Sequence, residues 1–167
     1  MENGNGMAKR KSMKADTCPV ARSLDVIGER WCLLVVRDAF DGARRFGDFQ
    51  RRLGVARNIL ADRLRVLVEE GVLAVQPAAD GTAYQEYVLT EKGARLFPVI
   101  VALRQWGEQQ LFGAGEARSQ LVDRQGGQPL APLLPRAADG RLLGHADTVV
   151  NKPADSAAQV LSPSSYC

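Results

Sequence analysis

Between residues 19 and 112, apolar residues recur at helical spacing in five stretches, with one strand-like alternation before the last. Val20, Leu24 and Ile27 share one face of a helix over 19–27, which Pro19 opens and Gly28 breaks. In 30–40, Trp31, Cys32, Leu33, Leu34, Val35, Val36, Ala39 and Phe40 are apolar nearly all round. Such a helix belongs at the centre of a fold, and Asp41-Gly42 ends it. A third helix, 46–53, carries Phe46, Phe49 and Leu53 inward and Arg51 and Arg52 outward, and Gly54 permits a sharp turn after it. The fourth, 57–70, has an inner stripe of Leu60, Leu64, Leu67 and Val68. An opposite stripe holds Asn58, Asp62, Arg65 and Glu69, and Gly71 is the stop. Ala56 stands at its N-cap without a side-chain acceptor, at a cost of about 1 kcal/mol relative to Ser. Segments 72–76 and 83–89 read as two strands joined by an Asp80-Gly81 hairpin turn. Thr90 caps a fifth helix over 91–112, which Pro98 kinks from inside. Its stripe of Leu96, Val99, Ile100, Leu103 and Trp106, widened by Phe97 and Val101, is broader than packing on one small domain requires.

The order helix, turn, amphipathic helix, hairpin predicts a mainly α (α+β) chain, a winged helix-turn-helix with a two-stranded wing. Residues 113–152 change character. Gly126-Gly127 and Asp139-Gly140 are turn signals around short apolar runs, which predicts a β-rich C-terminal extension of short strands without its own core. The Gly/Asn-rich and then basic segment 1–16 reads as a mobile arm, and 153–167 as a disordered tail.

Charge sharpens this picture. Net charge is only +3, but residues 44–65 hold seven Arg against two Asp, a local +5, while residues 114–167 sum to zero. A basic concentration on two adjacent helices is the footprint of a phosphate-binding face; on its own, a charge run is more often a solvated helix face, and the surrounding pattern shifts that balance. No apolar run reaches the roughly 20 residues that span a bilayer, and no apolar stretch follows the basic N-terminus, so the expectation is a cytoplasmic protein without a membrane partner. Three cysteines and one histidine, at these spacings, suggest neither a metal site, a cofactor nor a catalytic constellation; an enzyme is the weakest reading.

In a helix-turn-helix the first residues of the second helix face base edges, and its N-terminus suits phosphate. Arg57 and Asn58 occupy that place, with chemistry for guanine and adenine edges respectively. Arg65, two turns on, reaches a base or a phosphate. Arg44, Arg45, Arg51 and Arg52 are read as phosphate clamps, which position the protein without specifying sequence. Arg45 has a competing role, pairing with Asp41 or Asp48 at the corner between the second and third helices. Arg63 lies closer to the inner stripe and suits an acid partner. The wing segment 77–83 contains no Lys or Arg. Cys18, ahead of Pro19 and near Arg22, sits where a helix dipole favours a thiolate; a small residue filling the first turn is the plain alternative. Cys32 is read as core, as are Trp31 and Trp106.

The sequence resembles the HxlR family of bacterial winged-helix regulators. The resemblance is carried by Cys18-Pro19-Val20, Gly28-Glu29-Arg30-Trp31, Arg45-Phe46, the Leu60 to Leu67 stretch, Tyr87-Val88-Leu89-Thr90-Glu91-Lys92-Gly93, Pro98 and Trp106-Gly107, across 17–112. It implies a homodimer built through the first and last helices, bound to a roughly palindromic operator in double-stranded DNA and acting most often as a repressor. Recognition helices of such dimers lie about one DNA turn (~34 Å) apart. It also implies that Cys18 is a possible redox sensor, or that a small ligand at the dimer interface relieves repression. The family's wing is commonly basic, and this chain departs from that. A winged-helix module that docks on protein rather than DNA is the alternative the bare wing supports.

Overall fold

The computed structural model describes residues 12–153. Around the helix Arg30–Phe40 (α2) the chain builds its core: Cys32, Val35 and Val36 are buried, against Phe49, Leu60, Leu64, Leu67, Val72 and Leu73 from later elements. It follows α1 (Pro19–Ile27) and is followed by α3 (Phe46–Leu53), α4 (Arg57–Glu69), β1 (Leu73–Pro77), β2 (Gln85–Leu89), α5 (Glu91–Ala94) and α6 (Phe97–Gln110). Contacts group Ser23–Leu133 into one unit. Residues 12–22 and 134–153 belong to a second, described separately below.

The first four helices fall where the apolar spacing places them, α4 ending one residue early with Glu70 as its C-cap. The α3–α4 corner is set by Gly54, whose φ of +60° lets its N–H reach the Gln50 carbonyl, and by Val55, buried under the turn. The Arg45 N–H donates to the Asp48 carboxylate at 3.1 Å and fixes the start of α3.

The wing is a two-stranded antiparallel sheet, with Leu73 opposite Leu89 and Pro77 opposite Gln85. The strands begin later than their apolar patterns do, and Asp80-Gly81 is not a two-residue hairpin turn. It lies inside a loop over 78–84, closed by Ala78 N–H to Tyr84 O (3.0 Å) and Gly81 N–H to Ala78 O (3.2 Å). Pro77 faces Gln85 at a pair that exchanges no backbone hydrogen bond, so its missing N–H costs the ladder nothing, and the Ala78 bond follows in register. The Tyr87 N–H donates to the Arg44 carbonyl at 2.7 Å and ties β2 to the loop before α3.

At the base of the wing Thr90 is the junction. Its hydroxyl accepts from Gly93 N–H (3.0 Å) and donates to the Gly71 carbonyl (2.6 Å), while its own N–H donates to Val72 O (3.1 Å). Lys92 Nζ reaches the Glu70 carbonyl at 2.5 Å. The C-terminal end of α4 and the start of α5 are thereby held together.

The expected single helix over 91–112 is two helices. A continuous helix would put the Pro98 ring against the Ala94 carbonyl and leave one rung unbonded. The chain instead turns at Arg95-Leu96 and restarts at Phe97, so that Pro98 falls in the first turn of α6, where a missing N–H costs nothing. Pro98 therefore starts a helix and kinks none. Trp106 also departs from expectation: it is 58% exposed, because one side of α6 is wider than α2 can cover.

The extension contains no strands among the described residues. In 113–133 one isolated bridge, Val122 to Pro129, brackets the Gly126-Gly127 turn. The stretch is tethered to α6 by Arg104 Nη1 to Ser119 O (2.9 Å) and by Gln105, which donates to Ala131 O and accepts from Leu133 N–H. In the second unit the bridge Arg136 to Leu142 encloses the Asp139-Gly140 turn, followed by a 3-10 turn, His145–Asp147. The predicted strands reduce to these pairs because Pro129, Pro132 and Pro135 remove ladder donors from the apolar runs. The expected arm up to residue 11 and the tail from residue 154 lie outside the described residues.

Gly93 gives a test of this architecture. A Cβ there would lie 2.1 Å from the Val72 carbonyl oxygen and 3.0 Å from Leu89 Cδ2, whereas a Cβ on Gly47, inside α3, would meet nothing within 4 Å. We expect Gly93→Ala to destabilise the fold by about 1–3 kcal/mol or more. Gly47→Ala should stabilise it by roughly 0.5–1 kcal/mol. Both are read from urea unfolding midpoints; a neutral Gly93→Ala would contradict the close approach.

Candidate nucleic-acid interface

α4 is amphipathic, and its solvent side is the exposed stripe Arg57, Asn58, Ala61, Arg65 and Glu69. No side chain caps its N-terminus, because Ala56 has none to offer. The first N–H groups of the helix therefore stay available to an outside acceptor. Arg57 is exposed and its guanidinium lies 4.8 Å above the Phe46 ring, which holds it at the helix start without neutralising it. Asn58 is exposed beside it.

The remaining basic residues divide by partner. Arg65 is held on both sides, by Asp62 at 2.5 Å and Glu69 at 2.8 Å. Its pKa is raised first by the Asp62 hydrogen bond and then by Glu69, so any acid on DNA competes with two protein carboxylates. Arg51 pairs with Asp48 at 2.6 Å, and Arg52 donates to the Asp41 carbonyl at 3.3 Å. Arg44 is exposed and makes no side-chain hydrogen bond or ion pair among the described residues; its backbone carbonyl anchors β2.

Arg45 pairs with neither Asp41 nor Asp48 through its side chain. It reaches across to the wing, hydrogen-bonds Asp80, approaches the buried Glu86 at 3.7 Å and lies 5.4 Å over the Tyr84 ring. Its pKa is raised, chiefly by the Asp80 bond. From the sequence, Asp80 is a turn residue, and Tyr84 and Glu86 fall within the second strand segment, 83–89. The signal available was the excess of acid in a wing without base; that the acid serves Arg45 depends on a contact across 35 positions of sequence.

Arg63 does pair with an acid, Asp62 at 2.7 Å, and leans inward, its Nε buried. Cys32 is buried, as expected; burial pushes its thiol pKa up, and the Arg63 guanidinium partly opposes that. Cys18 is exposed just before α1. Its N–H donates to Asp16 Oδ1 at 2.7 Å, and Arg22 donates through Nε to the Asp16 carbonyl at 2.5 Å, so the guanidinium is engaged by Asp16.

Comparison with known proteins decides what kind of scaffold carries this surface. A family model described as HxlR-like helix-turn-helix matches residues 26–113, more than half of the chain. The chain belongs to the HxlR-like helix-turn-helix family. A curated relative, the HTH-type transcriptional regulator Rv3095 of Mycobacterium tuberculosis, is 49% identical over 92 residues, covering 55% of this chain and 58% of that protein. The chain thus spans rather less than two thirds of the length of such relatives. Among solved structures, PA1607, described as a proposed transcription factor, superposes with a TM-score of 0.82 at 54% identity, over 86% of this chain and all of that one. The redox regulator HypR in its oxidised form superposes with a TM-score of 0.52 at 32% identity, over 57% of this chain and all of that one.

Within this HxlR-like scaffold the wing lock is testable by pH. The Asp80 pKa is lowered to about 2, first by the Thr82 hydroxyl at 2.7 Å and next by Arg45. A depressed carboxylate contributes stability that is complete above its ordinary value of 3.8 and is lost as pH falls toward about 2. Carbon-13 NMR of the Asp80 carboxyl should titrate near 2, and Thr82→Val should move the midpoint up toward 3.8. A midpoint indifferent to Thr82 would remove the hydroxyl as the main cause.

Proposed function

We propose that the protein is a dimeric transcriptional regulator, acting as a repressor in the cytoplasm, that reads an operator in double-stranded DNA with the first turn of α4. The observation that carries this reading is the uncapped start of α4, with Arg57 and Asn58 exposed and paired with no acid among the described residues. Arg57 is assigned to a guanine edge and Asn58 to an adenine edge. Arg44 is the unengaged phosphate clamp. Arg51, Arg52 and Arg65 take up phosphate by exchanging their present partners, and Arg45 serves the wing before it serves DNA. Family membership supports regulation of transcription and not catalysis.

Fluorescence anisotropy with DNA from upstream of the protein's own gene, across a salt series, tests the reading. We expect salt-sensitive binding weakened about tenfold to a hundredfold by Arg57→Ala or Asn58→Ala, with discrimination between sequences reduced. Arg44→Ala should weaken binding to all sequences and lower the salt slope by about 1. Likeness to a redox regulator supports Cys18 as sensor; peroxide should then abolish binding in the parent and leave Cys18→Ser bound. The acid-bearing wing favours one other reading, a module that docks on protein; binding no tighter than to random DNA, at the operator and in a genome-wide selection of fragments, would select it.

For the dimer, the supporting observation is apolar exposure on the first and last helices: Val20 and Leu24 on α1, Val99, Leu103 and Trp106 on α6. Trp106→Glu should shift sedimentation from dimer to monomer. A dimer that survives it unchanged would put the interface elsewhere.

A further inference from the structure

A cleft of about 280 Å³ opens between α2 and α6. Its walls are apolar: Leu33 and Leu34 from α2, Ile100 and Leu103 from α6, and Phe112 beyond it. Its polar groups are mostly of one sign. Arg37, Arg104 and Arg118 line it against a single carboxylate, Glu108. Arg37 uses Nε and Nη2 on Asp38. Arg104 uses Nη1 on Glu108 (3.4 Å) and on Ser119. Arg118, by contrast, makes no hydrogen bond or ion pair with any described residue. The Ser119 contact brings the segment carrying Arg118 onto α6, where Arg118 lines the cleft.

An apolar chamber lined by an arginine without a partner among the described residues has a definite complement. Small-ligand sites combine apolar walls with a few placed polar groups, at volumes from about 300 Å³ upward. A guanidinium takes a carboxylate as a planar fork. The volume admits a single ring or a short alkyl chain, and Glu108 at the same rim opposes a second negative charge. Inorganic anions have no body to fill the walls, and neutral apolar molecules leave the cation unanswered.

We propose that this cleft is an effector site for an organic monocarboxylate with an aromatic or short alkyl body, bound through Arg118 with Arg37 and Arg104 behind it. The ligand would stand between α2, which packs on α4, and α6, whose Leu103 belongs both to the cleft and to the exposed stripe. Filling the cleft alters the angle between the helix pair carrying Arg57 and the helix assigned to dimer contact. The regulatory part of this inference rests on the operator-binding reading; the binding part does not.

The full chain would be titrated by calorimetry, without DNA, with phenylacetate and hexanoate as probes, phenylacetamide as the neutral counterpart and acetate as the acid without a body. We expect saturable binding of at least one of the two larger acids, and at least about tenfold weaker binding of phenylacetamide and acetate. Arg118→Gln should weaken the acid about tenfold, and Arg124→Gln, an exposed arginine outside the cleft, should not. Absence of binding by both acids, equal binding of the amide, or indifference to Arg118→Gln would overturn the site. Anisotropy with operator DNA then reads the coupling: a change in affinity of about fivefold or more on saturation with the acid supports the effector role. Ligand binding that leaves DNA affinity unchanged overturns that role, and failure of the ligand-free protein to bind DNA overturns the operator reading while leaving the calorimetry to judge the cleft.

Discussion

The approach of Gly93 to the Val72 carbonyl, locked by the Thr90 hydroxyl, is the constraint on which the rest of the arrangement depends. It brings the end of α4, the first residue pairs of the wing and the start of α5 to one point. The pitch of α4 against the core, the direction in which the wing leaves and the place where α6 begins all follow from it. A hydroxyl that accepts and donates at once satisfies two backbone groups that neither helix nor sheet can satisfy internally. The hydrophobic part, Leu60, Leu64 and Leu67 of α4 packed into the core around α2, makes the association favourable. The polar part makes it directional.

On the solvent side the decisive quantity is how many cations lack an internal acid. A local charge of +5 in 44–65 overstates the free positive surface, because Arg45, Arg51, Arg63 and Arg65 each have a carboxylate within pairing distance. Exposed pairs of this kind are worth little to stability, so their effect is on what the surface offers to a partner. Arg44, Arg52 and Arg57 remain; Arg52 is engaged only by the Asp41 carbonyl, and Arg57 is positioned by a ring and not by a charge. A surface so reduced favours contacts at the helix start over a broad electrostatic embrace.

Most of the helical framework was legible in the chain, because its boundaries are written in local chemistry: Pro19, Asp41-Gly42, Gly54 and Gly71 stop or start helices whatever surrounds them. The same locality explains the errors. The apolar stripe runs past Pro98 and so predicts a kink there, and only the preceding turn at Arg95-Leu96 shows that a new helix begins. Asp80-Gly81 has hairpin chemistry, but the last bond between the two arms, Ala78 N–H to Tyr84 O, leaves 79–83 outside the ladder and makes a longer loop. Spacing predicts a helix start at Arg57 and Asn58, and α4 does begin there with both exposed. The partner of Arg45 is not legible in the same way, since no local pattern distinguishes Asp80 from Asp41 or Asp48; that choice is made by β2 folding back beside the start of α3.

The tie between Arg45 and Asp80 has a mechanical side. A loop over 78–84 held only at its base would bend to follow a groove of any width. Held also near its tip by this exposed pair, it is biased toward one shape before anything approaches. Under the proposed operator reading, a duplex laid along α4 would have to accommodate the wing, which would favour flexible base steps facing it.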